Sequence, residues 1–419
     1  MIGLLFLLPA LVLLGALVVY PIIATVIASF RDGTGNQYVG LDNYRTMFRE
    51  RRILLAIRNN IVWVAVVPAV VTAIGLVFAV LSERIAFQRA FRTAVFMPMA
   101  ISLVAGGVIW RVVYEQAPER GLLNAGINSV VKVFNPPGQY AGATESQGLA
   151  PSAGGFVRNE PVQPGQAVTL GLVGLPPQQV PKSARPGRLP PPALAEEIVG
   201  VAHRDFTPGG TGQRGVLDPT EVGLPGMKVD LLDGSGKVVK SAISEADGSF
   251  RFRDVGPGTY RLALASSNFR APFGGVAWLG PSLILPSVMA AYVWVWAGFA
   301  MMVLAAGLAA IPREVLEAAR VDGASEWQTF RRVTVPLLAP EMGVVFVTLV
   351  IYVLKVFDIV LVVAPPEVQT EANVIALEMW RTAFGARNQG LGSAVAVLLF
   401  VMVLPVMVLN LRRFRAERG

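Results

Sequence analysis

The chain has 419 residues, of which 53% are hydrophobic and 15% charged, against roughly a quarter charged in a soluble domain. Its formal charge of +8 lies in short basic clusters beside apolar runs, which suits membrane flanks and speaks against a nucleic-acid partner. With no cysteine and His203 as its one histidine, it offers no disulfide or thiolate chemistry, and a His-based metal or acid–base site is not expected.

The first apolar run, Ile2–Phe30, exceeds the roughly 20 residues that cross a bilayer core. It is also longer than a usual signal-peptide core and has no basic residue before it, which argues against a cleaved leader. Ile61–Leu81 follows, then Phe91–Trp110, charged only at Arg92, where Pro98 predicts a kink. Gly106 and Gly107 in that third run, and Gly298 in the fourth, read as close helix contacts.

Beyond Phe134 the composition changes. Residues 135–196 are dominated by Pro, Gly, Ala, Ser and Gln, a composition that reads as a flexible or partly extended linker. From 197 to 266 the hydrophobic period switches to two. In "MKVDLLDGSGKVVKSAISEADGSFRFRDVGPGTYRLALA", Asp233-Gly234 and Asp247-Gly248 read as turns. Phe250 and Phe252 share one sheet face and Tyr260, Leu262 and Leu264 another, giving a small all-β sandwich. The "GSGK" at 234–237 is no phosphate loop, because Val238 stands where a Ser or Thr would hold magnesium. It reads as a hairpin turn, and this chain is expected to bind no cofactor.

Trp278–Ile311, Gly343–Ala364 and Leu391–Leu411 complete six apolar runs. Aromatic faces pack against the C–H faces of sugars, so Tyr292 and Trp296 in the fourth run are substrate-path candidates, although such residues also pack or anchor spans. Lys355 and Asp358 interrupt the fifth run, three residues apart on one helix face. Charges at membrane depth face a cavity or each other, so the two either line a path, form a structural ion pair at a helix contact, or lie near the membrane interface. Tyr352, one turn before Lys355, completes the candidates.

Between the fourth and fifth runs lies "EVLEAARVDGASEWQTFRRVTVPLLAP", residues 314–340. Pro312 suits a helix start, Ala318 and Ala319 allow close approach, and Gly323 after Asp322 breaks the helix. Ser325 with Gln328 forms a capping-box signature for a second helix, and Pro336 closes the loop. The result is an elbow of helix, turn and helix shaped to fit another protein.

The pattern Glu317-Ala318-Ala319, Asp322-Gly323-Ala324 and Pro336-Leu337-Leu338 resembles the permease subunits of binding-protein-dependent ABC importers. "GLDNYRTMF" at 40–48, "FRTAVFMPMAISLVAGGVIWRVVY" at 91–114, "GLLN" at 121–124 and "QGLGSAVAVLLF" at 389–400 resemble the carbohydrate-importing branch. One departure is Ala364-Pro365-Pro366, where relatives often carry a Gly-Gly-Pro turn. The resemblance implies an all-α polytopic membrane protein of the type I permease class: three helices in 1–134, three in 267–419, and a coupling loop at 312–340. Glu317, Ala318, Ala319, Asp322, Gly323, Ala324 and Pro336 would meet an ATPase.

The implied partners are a second permease subunit in a heterodimer, two ATP-binding subunits that use ATP and magnesium, an extracytoplasmic solute-binding protein and membrane lipid. The implied location is the bacterial cytoplasmic membrane, with both termini inside and the β-domain outside. Arginines flank both sides of the runs, so orientation rests on the elbow's resemblance rather than on the positive-inside bias.

The insert, from "IVGVAHRDFTPGGTGQRGVLDPTE" to "DGSFRFRDVGPGTYRLALA", resembles B-type repeats of Gram-positive surface proteins and carboxypeptidase-regulatory-like domains. Such repeats often bind calcium, but Asp205, Asp218 and Glu221 are the only acids in that first loop. Calcium takes six to eight oxygens, so no calcium site is expected. Import of a non-sugar solute stays open, as do a surface protein anchored by its spans and an ion-coupled secondary transporter. The last predicts an inverted repeat and ion-coordinating acids in broken helices, for which Asp358 is the sole support.

Overall fold

The computed structural model describes residues 2–191, 194–207, 210 and 212–416. It forms two compact units: Met1–Gln116 with Arg120–Leu123 and Val276–Gly419, and Ala117–Glu119 with Asn124–Gly275.

The first unit is helical. Among the described residues, Leu7–Ala28, Arg51–Glu83 and Ile284–Ala310 are long and apolar enough to cross a membrane. Two bent pairs, Gln88–Ala100 with Leu103–Val113 and Glu326–Leu337 with Ala339–Leu354, bring the number up to five. The sixth run lies in helix Gln389–Ala416. Leu11, Leu14, Leu17 and Ile23 of the first run stand exposed, a continuous apolar surface that suits lipid.

The expected kink at Pro98 is a full break. Met97–Ala100 tightens into a 3-10 turn, Ser102 caps a new helix by accepting from Ala105 N, and the axis turns by 104°. The fifth run is broken too. Helix Ala339–Leu354 stops, Lys355–Phe357 leave the helical path, and Asp358–Val363 forms a second short helix.

Close backbone approach holds the bundle. A Cβ on Gly75 would fall 2.4 Å from Ala300 Cβ, and one on Gly298 would fall 2.4 Å from Val95 O. Gly107 likewise admits Val362, so these contacts are as close as the sequence suggests. Gly106 differs, since a Cβ there would meet Val295 and Trp294 at an ordinary 3.9–4.0 Å. Trp63, Val67, Tyr292, Met301, Leu349 and Ile359 belong to the buried core between these helices.

Among the described residues, the second unit holds ten strands: β1 (Thr144–Glu145), β2 (Leu149–Ser152), β3 (Gly155–Arg158), β4 (Ala167–Val173), β5 (Ile198–Arg204), β6 (Val222–Gly223), β7 (Lys228–Leu232), β8 (Val238–Ile243), β9 (Ser249–Phe252) and β10 (Arg261–Leu264). One sheet runs β1-β4-β5-β6 with β9 also on β5, and the other runs β2-β3-β10-β7-β8. Leu170, Leu172, Phe250 and Phe252 of the first sheet share a core with Val229, Leu231, Leu262 and Leu264 of the second.

This corrects the linker expectation. Residues 135–196 supply β1 to β4, and Tyr140, Leu149, Val162 and Leu170 are buried in the core. The Pro- and Gly-rich average hid a short alternation: Val168, Leu170 and Leu172 point inward from β4, as period-two packing requires. β4 pairs in parallel with β5, and β3 pairs with β10, so a boundary at residue 197 cuts both sheets. "GSGK" is the turn between β7 and β8, where Asp233 Oδ1 accepts from the backbone N–H groups of Ser235 and Lys237.

Candidate functional site

The elbow forms as the sequence suggests. Pro312 precedes helix Arg313–Val321, and Gly323 ends the turn at φ +78°. That left-handed conformation costs an L-residue about 1–2 kcal/mol but is open to glycine. Gly323 N donates to Arg320 O and Ala324 N to Ala319 O, both at 3.0 Å, so the helix's last carbonyls are used. The next helix starts with both bonds of the capping box, Gln328 N to Ser325 Oγ at 3.3 Å and Ser325 N to Gln328 Oε1 at 2.8 Å.

Helix Arg313–Val321 has no buried residue, and Val321 is 87% exposed. Isolated helices shorter than about 12–15 residues are marginal in water, so this nine-residue helix lacks the packing that ordinarily supports one. Trp327 is 66% exposed, with its ring 5.5 Å from that of Phe330. Glu317, Ala318, Ala319, Asp322 and Gly323 therefore lie together on an uncovered knob, with Ala324 at its base. Pro336 does not close the elbow as expected. It lies inside the helical stretch Val335–Leu337, after a π-helical turn at Phe330–Thr334, and the 65° bend follows it at Leu338.

The path candidates divide. Tyr292 is buried, edge-on to Trp63 at 5.3 Å, which makes it a packing residue. Trp296 stacks on Tyr352 at 4.6 Å, and Tyr352 is 44% exposed. Lys355 and Asp358 are both exposed, and no ion pair within 4 Å joins them, so the structural-pair alternative fails. The expectation of one shared helix face fails with it, because the helix is interrupted between them. Lys355 lies at the C-terminal end of Ala339–Leu354 and Asp358 at the N-terminal end of Asp358–Val363. Each charge thus meets the helix end of opposite partial charge. A broken apolar run with a charge at each stump and a stacked aromatic pair one turn away can present hydrogen-bonding groups and a flat apolar face together.

The residues missed in the sequence are buried amides. Asn59 and Asn60 are fully buried in Arg51–Arg84, and Asn373 and Glu378 are buried near them. The only signal was the polar "RNN" just before Ile61.

In the β unit, the loop acids are engaged locally. Asp205 accepts from Ser146 Oγ and from Gly215 N at 2.6 Å, and Asp218 accepts from Thr207 at 2.9 Å. Glu221 accepts from Asp218 N at 3.1 Å. His203 Nδ1 lies 2.8 Å from Glu221 Oε2 but is not aligned for a hydrogen bond. Burial pushes His203 down to about 4 and Glu221 up, so the imidazole is neutral near pH 7. Pro208, Gly209 and Thr211 of this loop lie outside the described residues.

The sequence model of the "binding-protein-dependent transport system inner membrane component" family matches residues 257–414, and that of the carboxypeptidase regulatory-like domain matches 215–273. The osmoprotective compounds uptake permease protein GgtC of Synechocystis is 28% identical, over 98% of this chain and 97% of its own. The alpha-glucoside transport system permease protein AglF of Rhizobium meliloti is 27% identical, over 99% and 83%. The putative ABC transporter permease protein ORF1 of Caldicellulosiruptor is 32% identical, over 29% of this chain and 88% of its own. A bacterial ABC transporter involved in the import of the acidic polysaccharide alginate shares the fold at a TM-score of 0.56 and 15% identity, covering 98% and 95% of the two chains.

Proposed function

This chain belongs to the family of binding-protein-dependent transport system inner membrane components, and from that premise we propose that it is the carbohydrate-translocating permease subunit of an ATP-driven importer. The observation that carries the coupling role is the elbow: an unburied helix, turned by Gly323 and restarted by a capping box, on a chain with no nucleotide motif. We assign Glu317 to Ala324 to the surface that docks on an ATP-binding subunit. Pro336 belongs to the helical stretch that leads from this surface into the fifth run.

Six spans follow if each bent pair crosses once and Gln389–Ala416 supplies the last. With the elbow inside, both termini lie in the cytoplasm and the β unit lies outside. A second permease and a pair of ATP-binding subunits complete the assembly in this reading, and ATP and magnesium are used there rather than on this chain. The β unit is assigned to contact with the solute-binding protein; unchanged binding-protein affinity after excision of 136–272 would remove that assignment.

The sugar class is supported by the names of AglF and the alginate transporter and by the Trp296–Tyr352 stack beside Lys355 and Asp358. GgtC's name favours a second reading, an osmoprotective solute. Uptake of a panel of sugars, polyols and betaines in cells carrying the whole importer separates the two. Tyr352→Ala is expected to raise KM for the accepted sugar roughly tenfold, the scale of one lost aromatic face, with unchanged protein in the membrane. An unchanged KM removes Tyr352 from the path.

A further inference from the structure

Two consecutive amides, Asn59 and Asn60, are fully buried in a helix that runs on into apolar sequence. A buried amide without partners is costly, so the groups these two hold reveal their use. Asn60 Nδ2 donates to Leu354 O at 3.3 Å, and Asn60 Oδ1 accepts from Ile375 N at 2.8 Å. Leu354 is the last residue of Ala339–Leu354, and Ile375 is the first of helix Ile375–Trp380.

A helix that stops leaves carbonyls open, and one that starts leaves N–H groups open. At the break, Lys355 N takes Tyr352 O at 3.2 Å and Val356 N takes Val353 O at 3.1 Å. Leu354 O is held by Asn60. The neighbouring bonds tie down the same region. Asn59 Nδ2 donates to Glu371 O at 2.8 Å and Asn373 O at 2.9 Å, while Asn373 Nδ2 donates to Glu378 Oε2 at 2.6 Å. Gln369 Nε2 donates to Leu361 O at 3.0 Å in the last turn of Asp358–Val363, and Arg381 donates to Gln369 Oε1. The two halves of the broken run are therefore held by side chains, one from helix Arg51–Arg84 and one from the segment beyond the break.

We propose that Asn60 is the positioning residue of this break: its carboxamide pins the end of Ala339–Leu354 to the start of Ile375–Trp380, and so sets where Lys355 and Asp358 are presented. Asn60 itself meets no solute. Its effect on uptake rests on the reading of the break as part of the solute path, whereas its effect on geometry does not. One amide thus ties two elements on either side of the break to a helix about three hundred positions away in sequence, so the break moves with the second-run helix.

The absence of cysteine makes Lys355→Cys a clean reporter. In membranes carrying the whole importer, Asn60→Leu, which removes both bonds at similar volume, is expected to change the rate at which a small thiol reagent modifies the introduced thiol roughly tenfold, the scale of one lost buried hydrogen bond. Asn60→Ala removes both bonds without added bulk and decides the matter if the leucine variant fails to accumulate. Thr72→Val, on the same helix and with no hydrogen bond from its hydroxyl to lose, is expected to leave the rate unchanged. With Lys355 intact, Asn60→Ala is expected to lower maximal uptake roughly tenfold with a smaller change in KM. An unchanged modification rate in both Asn60 variants overturns the proposal. Altered modification with unimpaired uptake keeps the pin and removes the break from the solute path.

Discussion

Gly323→Pro is expected to abolish solute uptake while the chain still reaches the membrane in normal amount. Gly323 sits at φ +78°, and proline fixes φ near about −65°. Proline also lacks the N–H that donates to Arg320 O at 3.0 Å. Nothing lies within 4 Å of a Cβ built on Gly323, so the substitution acts through the chain's direction and this lost bond rather than through a clash with a distant neighbour. The knob would leave the elbow at the wrong angle, with the bundle untouched. Gly323→Ala carries only the left-handed cost of about 1–2 kcal/mol, and a partial, several-fold loss is expected. Uptake assays beside immunoblots of the membrane fraction check both, and normal uptake by the proline variant refutes the coupling role.

Gly298→Val is expected to do the reverse, removing folded protein rather than uncoupling it. A Cβ at Gly298 would lie 2.4 Å from Val95 O and 2.7 Å from Phe96 Cα. Those are backbone atoms at the end of helix Gln88–Phe96, so no rotamer change relieves the clash. Overpacking costs about 1–3 kcal/mol where side chains can yield, and here the helix crossing itself must open. Membrane abundance should fall several-fold, with a lower thermal midpoint in detergent. Gly106→Ala serves as the comparison: its Cβ would meet side chains at 3.9–4.0 Å, so near-normal abundance is expected. A Gly298→Val chain as abundant and as stable as the parent would contradict the close crossing.

The sequence exposed what depends on local chemistry. A capping box, a glycine after aspartate and a proline at a helix start each act within one turn, and Ser325, Gly323 and Pro312 all took their expected places. Run length and charge likewise located the apolar helices. What stayed hidden depends on partners distant in the chain. The bonds from Asn59 and Asn60 reach residues about three hundred positions away, and nothing in "RNN" distinguishes a buried clamp from a solvated flank. The break between Leu354 and Asp358 was hidden for the same reason, since Asn60 meets the open carbonyl that would otherwise disfavour it. Residues 135–196 failed differently. Their average composition describes the turns, while β4's inward Val168, Leu170 and Leu172 gain their stability from a strand that begins only at Ile198.

Ala318→Cys is the most direct probe of the coupling surface, because a single cysteine in this chain carries a label at one place. Attached to a photoactivatable benzophenone in sealed membrane vesicles, it should react only when the reagent reaches the cytoplasmic face. Illumination should then join this chain to an ATP-binding subunit, with a yield that changes when ATP is added. Labelling from the outer face, or an adduct with no nucleotide-binding protein in it, would contradict the assignment of Arg313–Val321 to the motor.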